Sequence, residues 1–289
     1  MNDKIKAILE LAKVKITVAV SFTTITGFVL YNKGFSTKFI LPTLGIFLLA
    51  CGASVINHIQ EYKTDSRMER TKNRPLPSGR MSLKWAWILT LILTFCGSVL
   101  LYASSNLTAL ILGLTALIWY NLIYTNLKKI TYYAVIPGSV IGAIPPLVGW
   151  VSAGGSLLDT RAIVIAFFFF VWQVPHFWLL MLKYGKQYQA AGFPSITVKS
   201  EAVIKIMTFI WTITTAISAM LLPYYRITLS AISTYGIMLA SAWLIYQFLN
   251  ALLKKDQNFR PGKYFMKINY FVLAMIIILI TDHLIIKVI

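Results

Sequence analysis

Acidic residues are scarce in this sequence: aspartate and glutamate together number nine among 289 residues, against 27 lysines and arginines. Charged residues of both signs amount to 12%, whereas a soluble domain carries about 25%. Hydrophobic residues make up 58% of the chain. So little charge excludes an ordinary soluble domain, and the chain is predicted to be an integral membrane protein.

Cysteine is almost absent as well. Cys51 and Cys96 both lie in apolar segments, so a structural disulfide is not expected, and two cysteines cannot form a zinc site. The sequence also lacks a low-complexity tail, a defensible repeat and a soluble region. We therefore expect a single transmembrane domain over residues 1–289.

Long apolar runs are what the sequence has in abundance. They are about 20 residues long and do not alternate, which predicts spanning helices, because strands of a membrane barrel are about 10 residues long and alternate. The predicted fold is all-α, a polytopic membrane helix bundle of about nine transmembrane helices. The spans are roughly residues 14–30, 39–56, 84–103, 107–124, 132–150, 162–182, 202–222, 229–250 and 268–286.

The basic residues lie mostly on one side of these spans. With a cytoplasmic N-terminus, 21 fall in cytoplasmic segments, from Lys4 to Lys267, and five on the other side, among them Lys33 and Lys287. This asymmetry follows the positive-inside rule, so the surplus charge meets anionic headgroups of the lipid bilayer, and no nucleic acid partner is expected. No cleavable signal peptide or mitochondrial presequence precedes the first span. We expect a prokaryotic inner-membrane protein with its C-terminus on the opposite side.

A regular polar series begins at the end of the second span. Asn57, Glu61, Asp65 and Glu69 recur every four residues, so three of the nine acids fall in nine positions. A four-residue step keeps side chains on one face of an α-helix. Asn57, Glu61 and Asp65 thus predict a ladder of oxygen ligands for Mg2+, which in turn holds phosphate oxygens. Glu69, one turn further, either joins the ladder or pairs with a neighbouring base.

Basic residues follow this series directly: Arg70, Lys72 and Arg74, before Pro75. They would take up the remaining charge of a pyrophosphate. Because proline cannot continue a helix, we expect the helix to end near Arg74. The alternative is a solvated loop whose acids pair with Lys63, Arg67 and Arg70. The boundary position favours a ligand that is half lipid and half pyrophosphate.

The sixth span carries the polar sequence Trp172-Gln173-Val174-Pro175-His176-Phe177. Glutamine and histidine inside a bilayer are costly and normally face the bundle interior or a wet cavity. Pro175 frees a backbone carbonyl and opens space for a ligand. Gln173 and His176 are therefore candidate site residues, although a polar pair that only packs helices is the alternative.

Further basic and phenolic residues lie at the same membrane face. Lys183, Lys186 and Tyr188 follow the sixth span, and Tyr124 and Lys128 end the fourth. They are candidate ligands of the same anion, although interface anchoring is the alternative. In the fifth span, close helix packing around a kink is predicted by Gly138, Gly142, Pro145, Pro146 and Gly149.

Taken in order over residues 13–199, these motifs resemble the UbiA superfamily of intramembrane prenyltransferases, and within it the protoheme IX farnesyltransferases (haem O synthases). The acidic motif of that family matches Asn57-x3-Glu61-x3-Asp65 followed by Met68-x-Arg70-Thr71 and Arg74-Pro75-Leu76, with Glu61 where aspartate is usual. Lys13 and Lys15 are similar to a Lys-Pro-Arg start, with Val14 in place of the proline. The Trp172 to Phe177 motif is the most discriminating, because quinone-prenylating relatives do not typically carry it.

The resemblance implies transfer of farnesyl from farnesyl diphosphate to a vinyl group of haem b, with water adding to give the arm of haem O. Mg2+ on Asn57, Glu61 and Asp65 would hold the diphosphate. The implied roles of the other residues are neutralisation of the leaving group by Arg70, Lys128 and Lys186, and substrate binding by Arg74, Tyr124, Gln173, Lys183 and Tyr188, with Arg74 or Lys183 on the haem propionates. His176 would approach the haem as iron ligand or proton handler. Haem A synthase is a candidate partner.

A dry groove for the farnesyl chain is also implied. Its candidate walls are Phe177 and the phenylalanines at 167–170, although such rings more often only pack or face lipid. One position departs from the family, because Gln187 stands where an acid normally precedes Tyr188. Either Lys186 replaces the charge of a second Mg2+, or Gln187 is a neutral ligand, or activity is reduced; we favour the first. Alternatives to haem prenylation are a quinone-precursor prenyltransferase and a non-catalytic haem-binding protein.

Overall fold

Nine helices long and apolar enough to cross a membrane are present among the residues that the computed structural model describes. These residues are 3–34, 36–104, 107–195, 199–253 and 260–285, with the backbone alone at residue 201. The prediction of an all-α bundle with about nine spans is therefore confirmed. Three basic residues counted above, Lys254, Lys255 and Lys287, lie outside the described residues.

The α-helices are numbered α1 to α13 in chain order. Their bounds are Asp3–Leu11, Val14–Asn32, Ile40–Asp65, Leu83–Ser104, Leu107–Ile118, Thr125–Leu127, Val135–Gly138, Val140–Ser152, Thr160–Lys183, Gly185–Ala190, Glu201–Tyr224, Ala231–Leu253 and Pro261–Ile285. A π-helix, Trp119–Tyr124, joins α5 to α6. Two short 3-10 helices precede α3 and α7, at Thr37–Phe39 and Tyr132–Ala134.

The spanning helices pack in a closed ring. Each span contacts the next along the chain, with α5 followed by α8 and α9 by α11, and the last helix, α13, returns to α2. Among helices that are not neighbours in this ring, the main contacts are those of α2 with α8 and of α9 with α13. The main core lies where these helices meet, and it includes the fully buried rings of Trp150, Phe168 and Phe271.

Helix α3 ends earlier than the sequence predicts. Its last residue is Asp65 and not a residue near Arg74, so that expectation is wrong. The hydroxyl of Thr71 donates to the Asp65 carbonyl at 2.8 Å, and the Met68 amide bonds to the same carbonyl at 3.2 Å. These bonds use the carbonyl that the next helical turn would need, so the chain turns away. Glu69 therefore leaves the ladder and pairs with Lys72 at 2.7 Å.

Close helix contact in the fifth span, which the glycines predict, is confirmed. A Cβ atom on Gly149 would lie 1.9 Å from the carbonyl oxygen of Thr24, and one on Gly27 would lie 1.9 Å from that of Pro146. In both cases the added Cβ would meet a backbone atom of the opposite helix, since Gly27 and Thr24 are in α2 and Pro146 and Gly149 are in α8. At each contact one of the two helices therefore has a glycine, which lets the backbones approach closely and fixes the position of α2 beside the interior.

The α2–α8 contact predicts a strong effect of one added methyl group. Gly27→Ala should lower the melting temperature of the protein in detergent by several degrees, because overpacking costs about 1–3 kcal/mol or more when backbone must move. Gly236→Ala is the matched control, since its Cβ would meet only the flexible end of Ile278 at 3.4 Å. Equal melting temperatures for Gly27→Ala and Gly236→Ala would contradict the tight contact.

Candidate active site

One large cavity runs along the inner face of α3. Its volume is about 660 Å³, within the range of about 300–1,000 Å³ usual for ligand sites. It extends along α3 from Ile46 to Asp65, and at 1.5 Å per residue this is about 28 Å. We call the charged region near Asp65 the polar end; its charged and amide lining is Glu10, Lys13, Asn57, Glu61, Asp65, Arg70, Asn73, Arg74 and Lys128.

The predicted ladder lies on one face of α3. Asn57, Glu61 and Asp65 all line the cavity, and their residues are 2%, 6% and 1% exposed. Carboxylates so deeply buried are stable only with charged or hydrogen-bonded partners. The ladder is therefore not a solvated loop, and the partners of its acids define the site.

Each member of the ladder has a cationic partner. Lys128 lies 2.7 Å from Glu61, Arg74 donates to Asp65 at 2.7 Å, and Lys13 donates to the side-chain oxygen of Asn57 at 3.0 Å. None of these cations is Lys63, Arg67 or Arg70, the bases that would pair with the acids if this segment were a solvated loop. The pairs thus join α3 to the start of α2, to the loop after α3 and to the end of α6.

The two lysines are electrostatically different. Burial works to lower the pKa of Lys128, but the Glu61 carboxylate together with Tyr124 and Tyr120 outweighs it and raises that pKa above its usual range. Burial lowers the pKa of Lys13 to about 7, and Arg74 and Lys128 add to this effect against Glu61 and Asp65. The polar end therefore has positive charge crowded around Lys13, which an anionic ligand would stabilise.

The oxygen atoms of the ladder suit Mg2+ in one specific respect. Asp65 Oδ1 is buried and has no hydrogen-bond partner in the described part of the chain, although the other oxygen binds Arg74. Carboxylate and amide oxygens are hard ligands of the type Mg2+ prefers. No group of three or more His, Cys, Asp or Glu residues in the described ranges forms a metal site by itself. The residues thus fit a cation that shares its ligands with a bound phosphate.

A second group of polar residues lines the cavity on α9. Gln173 and His176 face it, and Nδ1 of His176 lies 2.9 Å from the side-chain oxygen of Asn269 on α13. A Cβ on Gly142 would lie 2.8 Å from the Gln173 side-chain oxygen, so the glycine leaves room for it. These contacts place both predicted residues of the sixth span at the cavity.

Aromatic rings separate the two polar groups. Tyr124 stacks on Phe177 with ring centroids 5.4 Å apart and an angle of 9°, and both line the cavity. The π-helix turns Tyr120 and Tyr124 towards the same side, where the rings stack at 5.8 Å. π-Helical turns occur mostly at functional sites, because the extra residue redirects side chains.

Two loops cover the polar end. Gln187 accepts a hydrogen bond from the Arg70 amide at 3.2 Å, and the Arg70 guanidinium lies 4.6 Å from the Tyr184 ring. Tyr188 packs on Phe193, and both line the cavity. Gln187, which stands where the family carries an acid, thus links the loop after α3 to α10.

Other predicted residues lie outside the cavity lining. The side chains of Lys183 and Lys186 are exposed and are not part of that lining. Phe168 and Phe169 are fully buried in the main core, and Phe167 is 44% exposed. Of the candidate groove phenylalanines, Phe177 lines the cavity, and the expectation for those at 167–170 is wrong because their faces of α9 pack on other helices or point outward.

Four residues at or beside the site had no assigned role in the sequence analysis. Lys13, His58 and Tyr120 line the cavity, and Asn269 holds His176. His58 is 2% exposed, and its ring nitrogens have no partner among the described residues. Lys13 was part of a matched motif, and His58 adjoins the ladder, so local signals existed for these two. Asn269 had none, because its contact spans 93 residues.

Two similar sequences carry the same name. The chain is 32% identical over 85% of its length to the protoheme IX farnesyltransferase of Cytophaga hutchinsonii, of which 86% is covered. It is 30% identical over 95% of its length to protoheme IX farnesyltransferase 1 of Pseudomonas fluorescens, of which 92% is covered. The similarity to this branch, which the motifs predict, is confirmed.

Solved structures share the fold. A UbiA homologue from Aeropyrum pernix K1 matches with a TM-score of 0.75 at 20% identity, covering 96% of this chain and 99% of that one. A UbiA homologue from Archaeoglobus fulgidus bound to GPP and Mg2+ matches with a TM-score of 0.64 at 13% identity, covering 94% and 99%.

A family model independently matches most of the chain, over residues 20–271, and it is that of the UbiA prenyltransferase family. With relatives at 30% identity or more over most of its length and the ladder facing the cavity, the chain belongs to the UbiA prenyltransferase family.

Proposed function

We propose that this protein transfers the farnesyl group of farnesyl diphosphate to a vinyl group of protoheme IX, in a Mg2+-dependent reaction that gives haem O. The observation that carries the proposal is the pair of buried carboxylates, Glu61 and Asp65, which face a cavity beside four cationic side chains. The choice of haem as acceptor is supported by the names of the relatives and by the Trp172 to Phe177 motif.

The polar end would receive the diphosphate. Asn57, Glu61 and Asp65 would hold Mg2+ there, and the ion would supply positive charge to the leaving diphosphate. Arg70 and Lys128 line the same region and supply fixed positive charge where negative charge develops as the C–O bond ionises. Arg74, paired with Asp65, orients the ladder and adds charge on the same side, so we assign it to the diphosphate and not to a haem propionate.

The farnesyl chain would occupy the apolar part of the cavity. Its walls are the side chains of Ile16, Val20, Ile46, Leu49, Ala116 and Leu117. This lining excludes water, so the allylic cation survives until a vinyl carbon attacks it. Water then adds to the prenylated substituent and loses a proton, which gives the hydroxyethylfarnesyl arm. Tyr124, Phe177 and Tyr188 would shield the reacting carbon between the two substrates.

Haem b would lie against α9, where Gln173 and His176 line the cavity. We further propose that the polar end faces the cytoplasm in a prokaryotic inner membrane, since most basic residues lie at that side, and that the whole chain is one domain. Haem A synthase remains a proposed partner on the strength of the reaction product alone.

The reaction is tested by product analysis. Purified protein in lipid nanodiscs, given farnesyl diphosphate, Mg2+ and haem b, should yield a haem of the mass of haem O, because the vinyl group gains farnesyl and water. A parallel reaction supplies 4-hydroxybenzoate with longer-chain diphosphates. Prenylated benzoate without a modified haem would refute the haem assignment and favour the quinone-precursor alternative.

Removal of one ladder charge should abolish turnover while the protein still folds. Asp65→Asn is expected to reduce kcat at least about 100-fold, the scale of losing one preorganised electrostatic group. Glu69→Gln is the matched control, because this acid lies four residues away, is exposed and pairs only with Lys72. Comparable losses for both variants, at equal size-exclusion profiles, would remove the basis for the metal role of Asp65.

The cation beside Gln187 can be identified by a pair of variants. Lys186 was expected to replace a second metal charge, but its exposed side chain is not part of the cavity lining, whereas Arg70 is. Arg70→Gln should lower kcat/KM about 10- to 100-fold, since contacts to charged groups contribute about 1.5–3 kcal/mol. Lys186→Gln should change it less than about threefold. A larger loss of kcat/KM for Lys186→Gln than for Arg70→Gln would show that Lys186, and not Arg70, supplies this positive charge.

A further inference from the structure

Asn269 lies behind His176 and does not itself line the cavity. Its side-chain oxygen is 2.9 Å from Nδ1 of His176, and the two residues join α13 to α9. Its amide nitrogen donates to the Phe265 carbonyl at 2.5 Å. Because that nitrogen is used within α13, the oxygen is the atom that faces the histidine.

This arrangement determines which ring nitrogen carries the proton. An amide oxygen only accepts hydrogen bonds, so Nδ1 of His176 must be the donor. In a neutral imidazole the other nitrogen, Nε2, is then unprotonated and has a free lone pair. Asn269 thus selects the Nδ1–H form of the ring.

The second nitrogen is left for a ligand. Nε2 has no hydrogen-bond partner among the residues that the structure describes, and the ring lines the cavity. Trp172 and Phe265 hold the ring at centroid distances of 5.0 and 4.8 Å, and the Trp172 indole is itself fixed by the Ile268 carbonyl at 3.0 Å. The orientation of the imidazole is therefore set on several sides.

We propose that His176 binds the haem iron through Nε2 and that Asn269 is the positioning residue that holds it ready to do so. The inference rests on the proposed function, because it takes haem b as the second substrate. Histidines that bind metals generally donate their other N–H to an oxygen acceptor, which fixes the tautomer and the ring direction. Ligation would hold the haem in the cavity that His176 lines.

The tautomer is tested without any substrate. Protein labelled with 15N-histidine in nanodiscs has three histidines, and His176→Gln identifies the signals of His176 by their loss. The native protein and Asn269→Asp, which keeps an acceptor oxygen, should show Nδ1 protonated. Asn269→Leu should show a mixture of both forms. Gln247→Leu is the matched control: it removes a side-chain bond to Lys267 on α13 and should leave the His176 signals unchanged.

Iron ligation is tested by titration with haem b, followed by the absorption spectrum. The native protein, Asn269→Asp and Gln247→Leu should give the spectrum of an imidazole-bound haem, which His176→Gln should lose. Asn269→Leu should bind haem about 10- to 100-fold more weakly, the usual effect of removing an outer partner of a metal-binding histidine. Its affinity for a non-cleavable farnesyl diphosphate analogue should not change.

Three outcomes would overturn the inference. They are a native His176 protonated on Nε2, a haem spectrum that His176→Gln leaves unaltered, and equal haem affinity of the native protein and Asn269→Leu. Product formation together with any of them would leave the proposed function intact and reject this inference alone. If the native protein binds haem through His176 but makes no haem product, the proposed function is rejected and this inference stands.

Discussion

The arrangement of the site depends on the need of buried carboxylates for cations. Glu61 and Asp65 lie within the ring of helices, where an unpaired charge costs several kcal/mol after relaxation. Lys128 and Arg74 supply the partner charges, and the two ion pairs link the end of α6 and the loop after α3 to α3. The loop after α3 folds back because Arg74 must reach Asp65, and the end of α6 lies against α3 because Lys128 must reach Glu61. Charge pairing thus shapes the covering of the cavity as well as its chemistry.

Irregular backbone occurs where the cavity needs side chains that a straight helix could not supply. The π-helix at Trp119–Tyr124 and the interruption at Ser139 between α7 and α8 both lie beside it. Non-helical backbone at membrane depth is tolerated only when it is buried in protein or lines a cavity. Gly138 illustrates the coupling, since a Cβ there would lie 2.4 Å from the Tyr124 ring. The end of α7 at Gly138 and the orientation of the Tyr124 ring are therefore coupled.

Features set by local periodicity could be predicted from the sequence. The nine spans follow from run length, and the shared face of Asn57, Glu61 and Asp65 follows from a four-residue step. Features set by distant contacts could not. The orientation of His176 depends on Asn269, 93 residues away. The end of α3 was missed for a local reason, because it depends on a bond from the Thr71 hydroxyl to the Asp65 carbonyl that no periodic pattern marks. Lys186 was assigned a role because it adjoins Gln187, where the acid of the family is missing, but its side chain is exposed and is not part of the cavity lining.

Charge balance at the polar end bears on how many Mg2+ ions the site can use. Glu10 is paired with Arg80, which leaves four lining cations against Glu61 and Asp65, a surplus of two positive charges. A diphosphate carries about three negative charges, between about one and two for each phosphoryl group. One Mg2+ would bring the occupied end to about one positive charge. A second Mg2+ would add two more charges without a carboxylate to receive it, because Gln187 is neutral and already holds the Arg70 amide. Under the proposed function, the neutral Gln187 is therefore electrostatically consistent with one bound Mg2+ and not with two.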